Sequence, residues 1–462
     1  MDNKWWCCAL LGGFVAAQPV SGYASEVNID NLIVVAATAD VVTEEGIDMP
    51  MGQRQDQPSL LPEDSEVGDE RSIFGIRGGY FHPYINIYEE YSDNVYNTNT
   101  DEEDSFLTRI SPGIWFALPR KKIIPIAITP HNTSPGGLSN QLNDRLSPDR
   151  FISYALIGAD FKYYTADSDL NDTDLVAEGL FRYNMRGGLS LQAIERFTRA
   201  EDTFGVETLG REEDRPRFDS NLFIATADWE MTEKLRFEVD YSNFYLEYDE
   251  AIDAFQNRVD NSIEVYSYYN YSIKTSFFLQ YKYVDVEYDI ASINDSVQDF
   301  YYGGVRWNTT EKLALLFKAG YQDREFDEAG REGYDGLALD VQATYRYSEK
   351  TSLNLALYRM NEETDSLVAS DRTVWGASLG YDQKFTEKIS GSVDLRYEDA
   401  DYSQLIAEDR EDQTLLIRPA LQYLFKEWLR AEVAYEYEEV DSSQEIFEYT
   451  TNTFMVGLNL AL

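Results

Sequence analysis

The strongest constraint on the fold is a strict alternation of apolar and polar residues that begins near Ile73 and continues almost to the end of the chain. In residues 429–438 the odd positions are apolar or aromatic, and the even positions are charged or small. The same two-residue period recurs at 235–242, 337–346 and 389–397. Successive side chains of a β-strand point to opposite faces, so one face of each strand meets an apolar phase and the other meets water. Alternation over hundreds of residues is typical of a barrel with lipid outside and solvent inside.

Composition excludes the main competing classes of protein. The chain has 462 residues, among them 34 tyrosines and 24 phenylalanines. Its mean hydropathy is −0.44, and it contains no apolar stretch long enough for a membrane-spanning helix. An intrinsically disordered acidic chain would contain far fewer aromatic residues. These observations leave an all-β protein built from many half-polar strands.

A repeat of short turns fixes the expected topology. Lysines recur 40, 38, 38, 38 and 38 residues apart, at Lys234, Lys274, Lys312, Lys350, Lys388 and Lys426. Each unit fits two strands, one short turn and one longer loop. A β-propeller has a similar period but needs four strands in each unit. The longer connections are acidic, at 249–258, 285–297, 323–333, 362–372 and 399–411. We therefore expect the lysine turns on the periplasmic side and the acidic loops outside the cell.

Counting the alternating segments predicts a transmembrane antiparallel β-barrel of about 18 strands, within a range of 16 to 20. The predicted strand centres lie at 86, 112, 157, 178, 193, 224, 240, 265, 280, 303, 318, 340, 356, 378, 394, 419, 434 and 456. The stretch Pro119–Arg150 contains several prolines and could be an extended loop or hide a short element. The final strand places Phe454, Val456, Leu458 and Leu460 on one face, together with Leu462. This ending resembles the strand that the outer-membrane barrel assembly machinery recognises, although its last residue is not aromatic.

The residues before the barrel predict export through the inner membrane. Lys4 precedes an apolar run from Trp5 to Ala17, as in a secretory signal peptide cleaved near Ala24. We therefore assign 1–24 to a signal peptide, 25–75 to an acidic, flexible periplasmic extension, and 76–462 to an outer-membrane barrel of a Gram-negative bacterium. The apolar patch 32–37 inside the extension fits either a docking or plug segment, or a short local turn of helix or strand.

Charge and residue types exclude several functions. The formal net charge of −44 opposes binding to nucleic acid, because every phosphate would repel the chain. Only His82 and His131 could act as a base near neutral pH, so we do not expect an enzyme. We expect no cofactor and no metal site of the Cys/His type. Carboxylate runs such as 101–104, 212–214 and 408–412 could bind Ca²⁺ or Mg²⁺ and bridge to lipopolysaccharide, but solvated charge is the favoured interpretation.

Charged residues on the polar face of the strands are the candidates for lining a channel. They are Arg236, Glu238, Asp240, Asp340, Arg346, Asp394, Arg396, Arg430, Glu432 and Glu436. Both signs are present with an acidic surplus, which predicts a hydrated lumen with a preference for cations or neutral sugars. Five tryptophans near strand ends are expected in the lipid-interface girdle, namely Trp115, Trp229, Trp307, Trp375 and Trp428.

Two short motifs stand at the start of the barrel. The first strand ends in Tyr91, Asp93, Asn94 and Val95, and the second strand contains Ser111, Pro112 and Gly113. These positions resemble the Tyr-x-Asp-Asn-Val/Ile turn and the Ile-Ser-Pro-Gly segment with which members of the beta-barrel porin-2 family begin, over about 35 residues. The resemblance implies an outer-membrane barrel of about eighteen strands, often associated with export of capsular polysaccharide or exopolysaccharide.

Three functional hypotheses follow from these observations. The first is a porin-like channel that takes part in polysaccharide export, with periplasmic export components as partners. The second is a passive, weakly cation-selective diffusion porin. The third is a structural or adhesive barrel whose lumen is plugged. In each case the other partners are outer-membrane lipids, lipopolysaccharide and the barrel assembly machinery.

Overall fold

The computed structural model describes residues 80–118, 150–201, 217–250, 253–290, 294–308, 312–364, 369–404, 410–426 and 428–461. The predictions for the signal peptide, for the extension 25–75, for His131 and for 119–149 lie outside these residues. Within them, no helix is long and apolar enough to cross a membrane.

The described residues form eighteen β-strands, as the sequence predicted. They are β1 Phe81–Ser92, β2 Ser105–Leu118, β3 Phe151–Tyr164, β4 Asp172–Asn184, β5 Leu189–Glu201, β6 Arg217–Glu230, β7 Leu235–Tyr248, β8 Arg258–Ser272, β9 Thr275–Tyr288, β10 Ser296–Asn308, β11 Leu313–Phe326, β12 Tyr334–Ser348, β13 Thr351–Glu362, β14 Ala369–Lys384, β15 Ile389–Gln404, β16 Arg410–Lys426, β17 Leu429–Ser442 and β18 Tyr449–Ala461. Short 3₁₀ turns lie at Ser168–Leu170, Ala254–Gln256 and Glu445–Phe447. Each strand pairs antiparallel with the next, and β1 also pairs with β18, so the sheet closes into a barrel.

The barrel has two unlike ends, which we call the turn end and the loop end. The lysine turns lie at the turn end, for example between β6 and β7 and between β14 and β15. The Thr232 hydroxyl there accepts hydrogen bonds from the amides of Lys234 (3.2 Å) and Leu235 (3.0 Å). The Thr386 hydroxyl does the same for Lys388 (3.1 Å) and Ile389 (3.0 Å). The repeated Ser/Thr-x-Lys pattern is therefore a side-chain-capped hairpin turn.

One connection departs from the expected pattern of lengths. Strand β2 ends at Leu118 and β3 begins at Phe151, both at the turn end. Thus the long segment between them joins two strands on the side where the other connections are short. The remaining long connections join strands at the loop end, as predicted.

The two faces of the barrel wall change polarity along the strands. On β7 the outward side chains are Leu235, Phe237, Val239 and Tyr241 near the turn end, and then become polar at Asn243 and Glu247. The inward face does the opposite, since charged residues give way to buried Phe244, Leu246 and Tyr248. Strands β9, β15 and β17 show the same inversion on their outward faces. The apolar outer belt marks the membrane, and the loop end projects beyond it.

The aromatic girdle includes three of the five predicted tryptophans. Trp229, Trp307 and Trp375 face outward and are 44–47% exposed, and Trp428 lies in the turn between β16 and β17 with 43% exposure. Trp115 contradicts the prediction, because its side chain faces inward and is only 1% exposed. Its ring stacks on His82, with the centroids 3.8 Å apart, so this pair belongs to the inner wall. Position near a strand end does not settle which face a residue occupies; the parity along the strand does.

Candidate functional site

The ten residues predicted to line the channel all lie on the inward face of their strands. They fall into two groups by exposure. Arg236, Glu238, Asp240, Arg430, Glu432 and Glu436 are buried, at 9% exposure or less. Asp340, Arg346, Asp394 and Arg396 are partly exposed. The sequence could not separate these groups, because both have the same parity and the same residue types.

The buried group belongs to a larger half of the inner wall, formed by β17, β18 and β1–β9, which we call the closed half. Its charges are neutralised by neighbours. The Arg109 guanidinium donates to Asp160 (3.0 and 2.5 Å) and to Glu90 (3.5 Å). The Ser111 hydroxyl donates to the second oxygen of Asp160 (2.6 Å). Buried charges need such compensation, because desolvation costs several kcal/mol per ion.

The same pattern continues around the closed half. The Lys162 ammonium lies 2.5 Å from an oxygen of Asp174, and the Arg196 guanidinium lies 2.9 Å from Glu178. Arg236 Nε donates to Asp228 at 2.7 Å. Each of these named ion pairs joins neighbouring strands. These charges therefore fasten the wall and present little of themselves to a passing solute.

The opposite half of the inner wall, on β10–β16, keeps its charges accessible near the membrane level, and we call it the open half. Side-chain exposure is 42% for Arg396, 24% for Asp340, 19% for Lys318 and 16% for Arg418. On the closed half the side chain of Arg109 is only 5% exposed. Barrels of 16–18 strands are wide enough to leave an aqueous channel. The accessible charge of this lumen is therefore concentrated on one side.

The loop end of β13 and β14 bends into the barrel, which the sequence analysis did not predict. We call residues 361–364 and 369–371 the inward-turned segment. The side-chain NH₂ of Gln322 on β11 donates to the backbone carbonyl of Asn361 (2.7 Å). The side-chain oxygen of Gln322 accepts from the backbone amide of Asn361 (2.9 Å). Glu363 accepts from the Tyr288 hydroxyl (2.7 Å) and from Gln298 (3.2 Å). These partners lie on the inner faces of β9–β11, so the segment crosses the inside of β12.

Small residues and opposite charges allow this crossing. The inward positions of β12 under the segment are Gly336 and Ala338, and Ala338 is fully buried. The Arg324 guanidinium forms an ion pair with Glu363 and packs over the Phe326 ring at 4.6 Å. Arg331, in the loop after β11, covers the same ring at 3.7 Å. Burial lowers the pKa of Arg331, and the positive charge of Arg324 lowers it further. The two guanidinium groups thus form a local excess of positive charge, which the carboxylates of the segment offset.

The motif residues at the start of the barrel close its seam. Asn94 is fully buried; its amide donates to the carbonyls of Thr98 (2.8 Å) and Thr450 (3.1 Å). The Asp93 carboxylate accepts from the backbone amide (2.7 Å) and the side-chain amide (2.8 Å) of Asn452. Thr450 and Asn452 belong to β18. We call this set of contacts the seam clasp, since it ties the first hairpin to the last strand.

The other motif residues have structural roles nearby. The Tyr91 ring packs on Phe106, with centroids 5.0 Å apart, and the Val95 amide donates to the Glu103 carbonyl at 2.8 Å. Pro112 lacks an amide hydrogen, and the β2–β3 pairing breaks there, between Ile110 and Gly113.

Gly113 leaves room for the Tyr84 ring, which would overlap any Cβ at that position. The motif thus shapes the barrel wall.

One cluster of three carboxylates in the described residues has the geometry of a possible cation site. Oxygens of Asp399, Asp401 and Glu411 lie within 4.8 Å of one another on the outer wall at the loop end. Glu411 belongs to the acidic run 408–412, whose first two residues lie outside the described part of the chain. Exposed acidic groups commonly cluster without an ion, so this geometry alone does not identify a site.

One family model and several solved structures match this chain. The model of the family described as "Putative beta-barrel porin 2" matches residues 151–462. Among solved structures, OpdK of Pseudomonas aeruginosa with vanillate is 10% identical, covers 83% of this chain and 99% of its own, and gives a TM-score of 0.44. OccAB4 of Acinetobacter baumannii is 9% identical, covers 84% and 100%, and gives 0.45. The siderophore receptor PirA of Pseudomonas aeruginosa is 7% identical, covers 83% and 80%, and gives 0.41. The search of curated proteins found no match.

Proposed function

Since the chain belongs to the beta-barrel porin 2 family, and is therefore an outer-membrane barrel of the porin type, we propose that it is a passive diffusion channel for small hydrophilic solutes. The observation that carries the proposal is the open half, where charged side chains on β10–β16 remain accessible at the level of the apolar outer belt. An inner wall that served only as a packed core would not leave Arg396 42% exposed. Polar walls of this kind hydrate a channel.

The inward-turned segment supports a narrow channel. It occupies the inner face of β9–β12 at the loop end, where Asn361 is 1% and Glu363 is 5% exposed. Protein placed inside a barrel reduces the cross-section that remains for solute. We therefore propose that the constriction lies at the loop end, and that solutes pass it along the remaining side of the mouth.

The family resemblance predicts export of capsular polysaccharide or exopolysaccharide, and this stays a prediction. Passive diffusion accounts for the same inner wall as well or better, because a segment fixed across one side of the mouth restricts passage of a polymer. Periplasmic export components as partners belong to that prediction. A barrel with a plugged lumen is the third hypothesis, and the same measurement distinguishes all three.

The test is single-channel recording with the purified full-length protein in planar bilayers. We expect stable open currents that scale with salt concentration. Current blocked reversibly by a purified capsular or exopolysaccharide would favour export instead. Absence of any current from correctly folded, heat-modifiable protein would contradict the proposal and favour the plugged barrel.

Releasing the inward-turned segment should widen the channel. In Glu363→Gln the ion pair with Arg324 is lost while the side-chain size is kept. Losing one partner of a buried ion pair costs about 3–5 kcal/mol, enough to detach the segment from the wall. We expect a larger single-channel conductance and more frequent fluctuations between conductance levels.

Glu325→Gln is the matched control, because Glu325 is exposed and follows Arg324 on the same strand. Its conductance should equal that of the wild type. Equal conductance in Glu363→Gln would show that the segment does not limit the channel.

A further inference from the structure

We infer that the open half of the lumen makes this channel selective for small organic and inorganic anions, such as carboxylates and phosphates. The inference rests on the proposed diffusion channel and names its substrate class. It reverses the preference expected from counting every inward charge in the sequence, because the buried inward carboxylates are held by ion pairs and hydrogen bonds within the wall, whereas the accessible charges meet a solute directly.

The accessible charges on the open half are mainly positive. The inward, partly exposed basic residues are Arg306, Lys318, Arg346, Lys384, Arg396 and Arg418. The inward, partly exposed acidic residues are Asp340, Asp382 and Asp394. In the described residues, basic groups thus outnumber acidic groups on this surface by six to three. The acidic surplus among the ten residues predicted to line the channel lies on the closed half, in Glu238, Asp240, Glu432 and Glu436, all of which are buried.

Local contacts leave this excess in place. Lys318 lies 3.4 Å from Asp340, so these two charges offset each other. Asp382 accepts hydrogen bonds from Ser352 (3.2 Å) and Asn354 (3.4 Å). Arg346 forms no ion pair with any residue in the described part of the chain.

Two of the exposed arginines have buried carboxylates beside them. Arg396 pairs with Glu398 at 2.5 Å, but the Arg396 side chain is 42% exposed and that of Glu398 only 6%. Arg418 lies 3.8 Å from Glu432 and 4.0 Å from Glu436, again with the guanidinium as the more exposed partner. In each case the positive end of the pair faces the lumen and the negative end is withdrawn into the wall. A solute beside these pairs therefore meets the cation first.

Part of the large negative charge of the chain lies on the outside of the barrel. Outward positions beyond the apolar belt carry a collar of acidic residues, namely Asp285, Glu287, Asp323, Asp399, Asp401, Glu411, Glu439 and Asp441. These groups face the outside of the barrel, and the wall and surrounding salt separate them from the lumen. Interactions in solution are screened beyond about 8 Å at physiological ionic strength. Net charge is therefore a poor guide to the selectivity of this channel.

The experiment measures the reversal potential under a tenfold KCl gradient in planar bilayers, with the full-length protein. For the wild type we expect a chloride-to-potassium permeability ratio above one. In Arg346→Gln/Arg396→Gln the ratio should fall about threefold for each charge removed, as expected for a unit charge several ångströms from a hydrated ion. Arg346→Lys/Arg396→Lys keeps the charges and should keep the wild-type ratio. Arg346→Gln alone serves where the double variant does not fold, because it breaks no ion pair.

The collar provides the second control. Asp399→Asn/Asp401→Asn removes two negative charges from the outer wall and should leave the permeability ratio unchanged. Open currents with a cation preference in the wild type would overturn anion selectivity while leaving the diffusion channel intact. Anion preference that persists unchanged in Arg346→Gln/Arg396→Gln would overturn its assignment to the open half. Absence of current would remove the diffusion channel, and with it this inference.

Discussion

Replacing Asn94 by alanine should lower the free energy of unfolding of the barrel by about 2–4 kcal/mol. Asn94 is fully buried, and its side chain makes four hydrogen bonds, to the Thr98 carbonyl (2.8 Å), the Thr98 amide (3.0 Å), the Thr98 hydroxyl (3.4 Å) and the Thr450 carbonyl (3.1 Å). Alanine leaves these backbone groups without the amide that satisfies them. Guanidinium unfolding in detergent micelles, followed by tryptophan fluorescence, measures the change.

The location of Asn94 makes the effect large. A closed barrel has no free edge, and its β1–β18 seam joins the two ends of the described barrel. Weakening the seam clasp allows the sheet to open there, so the heat-induced mobility shift in dodecyl sulfate gels should also occur at a lower temperature. Loss of the Asp93 contacts with Asn452 in Asp93→Ala should act in the same direction.

Asn99→Ala is the matched control for the seam clasp. Asn99 is in the same loop and donates to the Glu445 carbonyl at 2.7 Å, but this contact is exposed to water. We expect a loss of at most about 1 kcal/mol, because water replaces the missing partner. Equal losses in Asn94→Ala and Asn99→Ala would contradict a special role for the clasp.

Much of the fold could be predicted from the sequence because lipid imposes a simple rule. Every outward residue of the belt must be apolar, so the two-residue period is strict wherever a strand crosses the membrane. That rule gave eighteen strands, whose predicted centres all fall inside the observed ones. The lysine turns could be located because the Ser/Thr hydroxyl and the following amides form a local hydrogen-bonded unit, as at Thr232.

The arrangement inside the barrel could not be predicted by the same rule. Exposure of an inward charge depends on what packs beside it, and parity is identical for buried Asp240 and accessible Asp394. The inward-turned segment was assigned to an extracellular loop, because its acidic composition fits solvent equally well. Its place is set by Gln322 and Arg324, which lie about 40 residues away in the sequence. No local pattern encodes that contact.

The family motif could be located in the sequence, but its structural role could not. The resemblance identified Asp93 and Asn94 as important positions without giving them a role. The structure assigns that role through hydrogen bonds that span more than 350 residues, to Thr450 and Asn452. Glycine in the motif is explained in a comparable way, by an aromatic ring on the neighbouring strand.

Gly113→Ala should destabilise the barrel by about 2–3 kcal/mol. Gly113 lies directly opposite Tyr84 in the β1–β2 pairing, and the Tyr84 ring covers the space that a Cβ would occupy. The tyrosine hydroxyl also reaches Gly158 on β3, so the ring spans three strands. An added methyl group must displace the whole ring from a site where it is only 6% exposed. The unfolding midpoint in guanidinium measures this loss.

Gly303→Ala separates this steric effect from the general change in chain flexibility. A Cβ at Gly303 meets only the Leu279 side chain, at 3.8 Å, which is ordinary contact. Its stability should therefore equal or slightly exceed that of the wild type, since alanine restricts the unfolded chain more than glycine does.

A double-mutant cycle with Tyr84→Ala then tests the ring itself. If Tyr84 is the obstacle, Gly113→Ala costs little once the ring is removed, and the two single losses are not additive. Additive losses would place the strain of Gly113→Ala in the backbone of β2 rather than in its contact with β1.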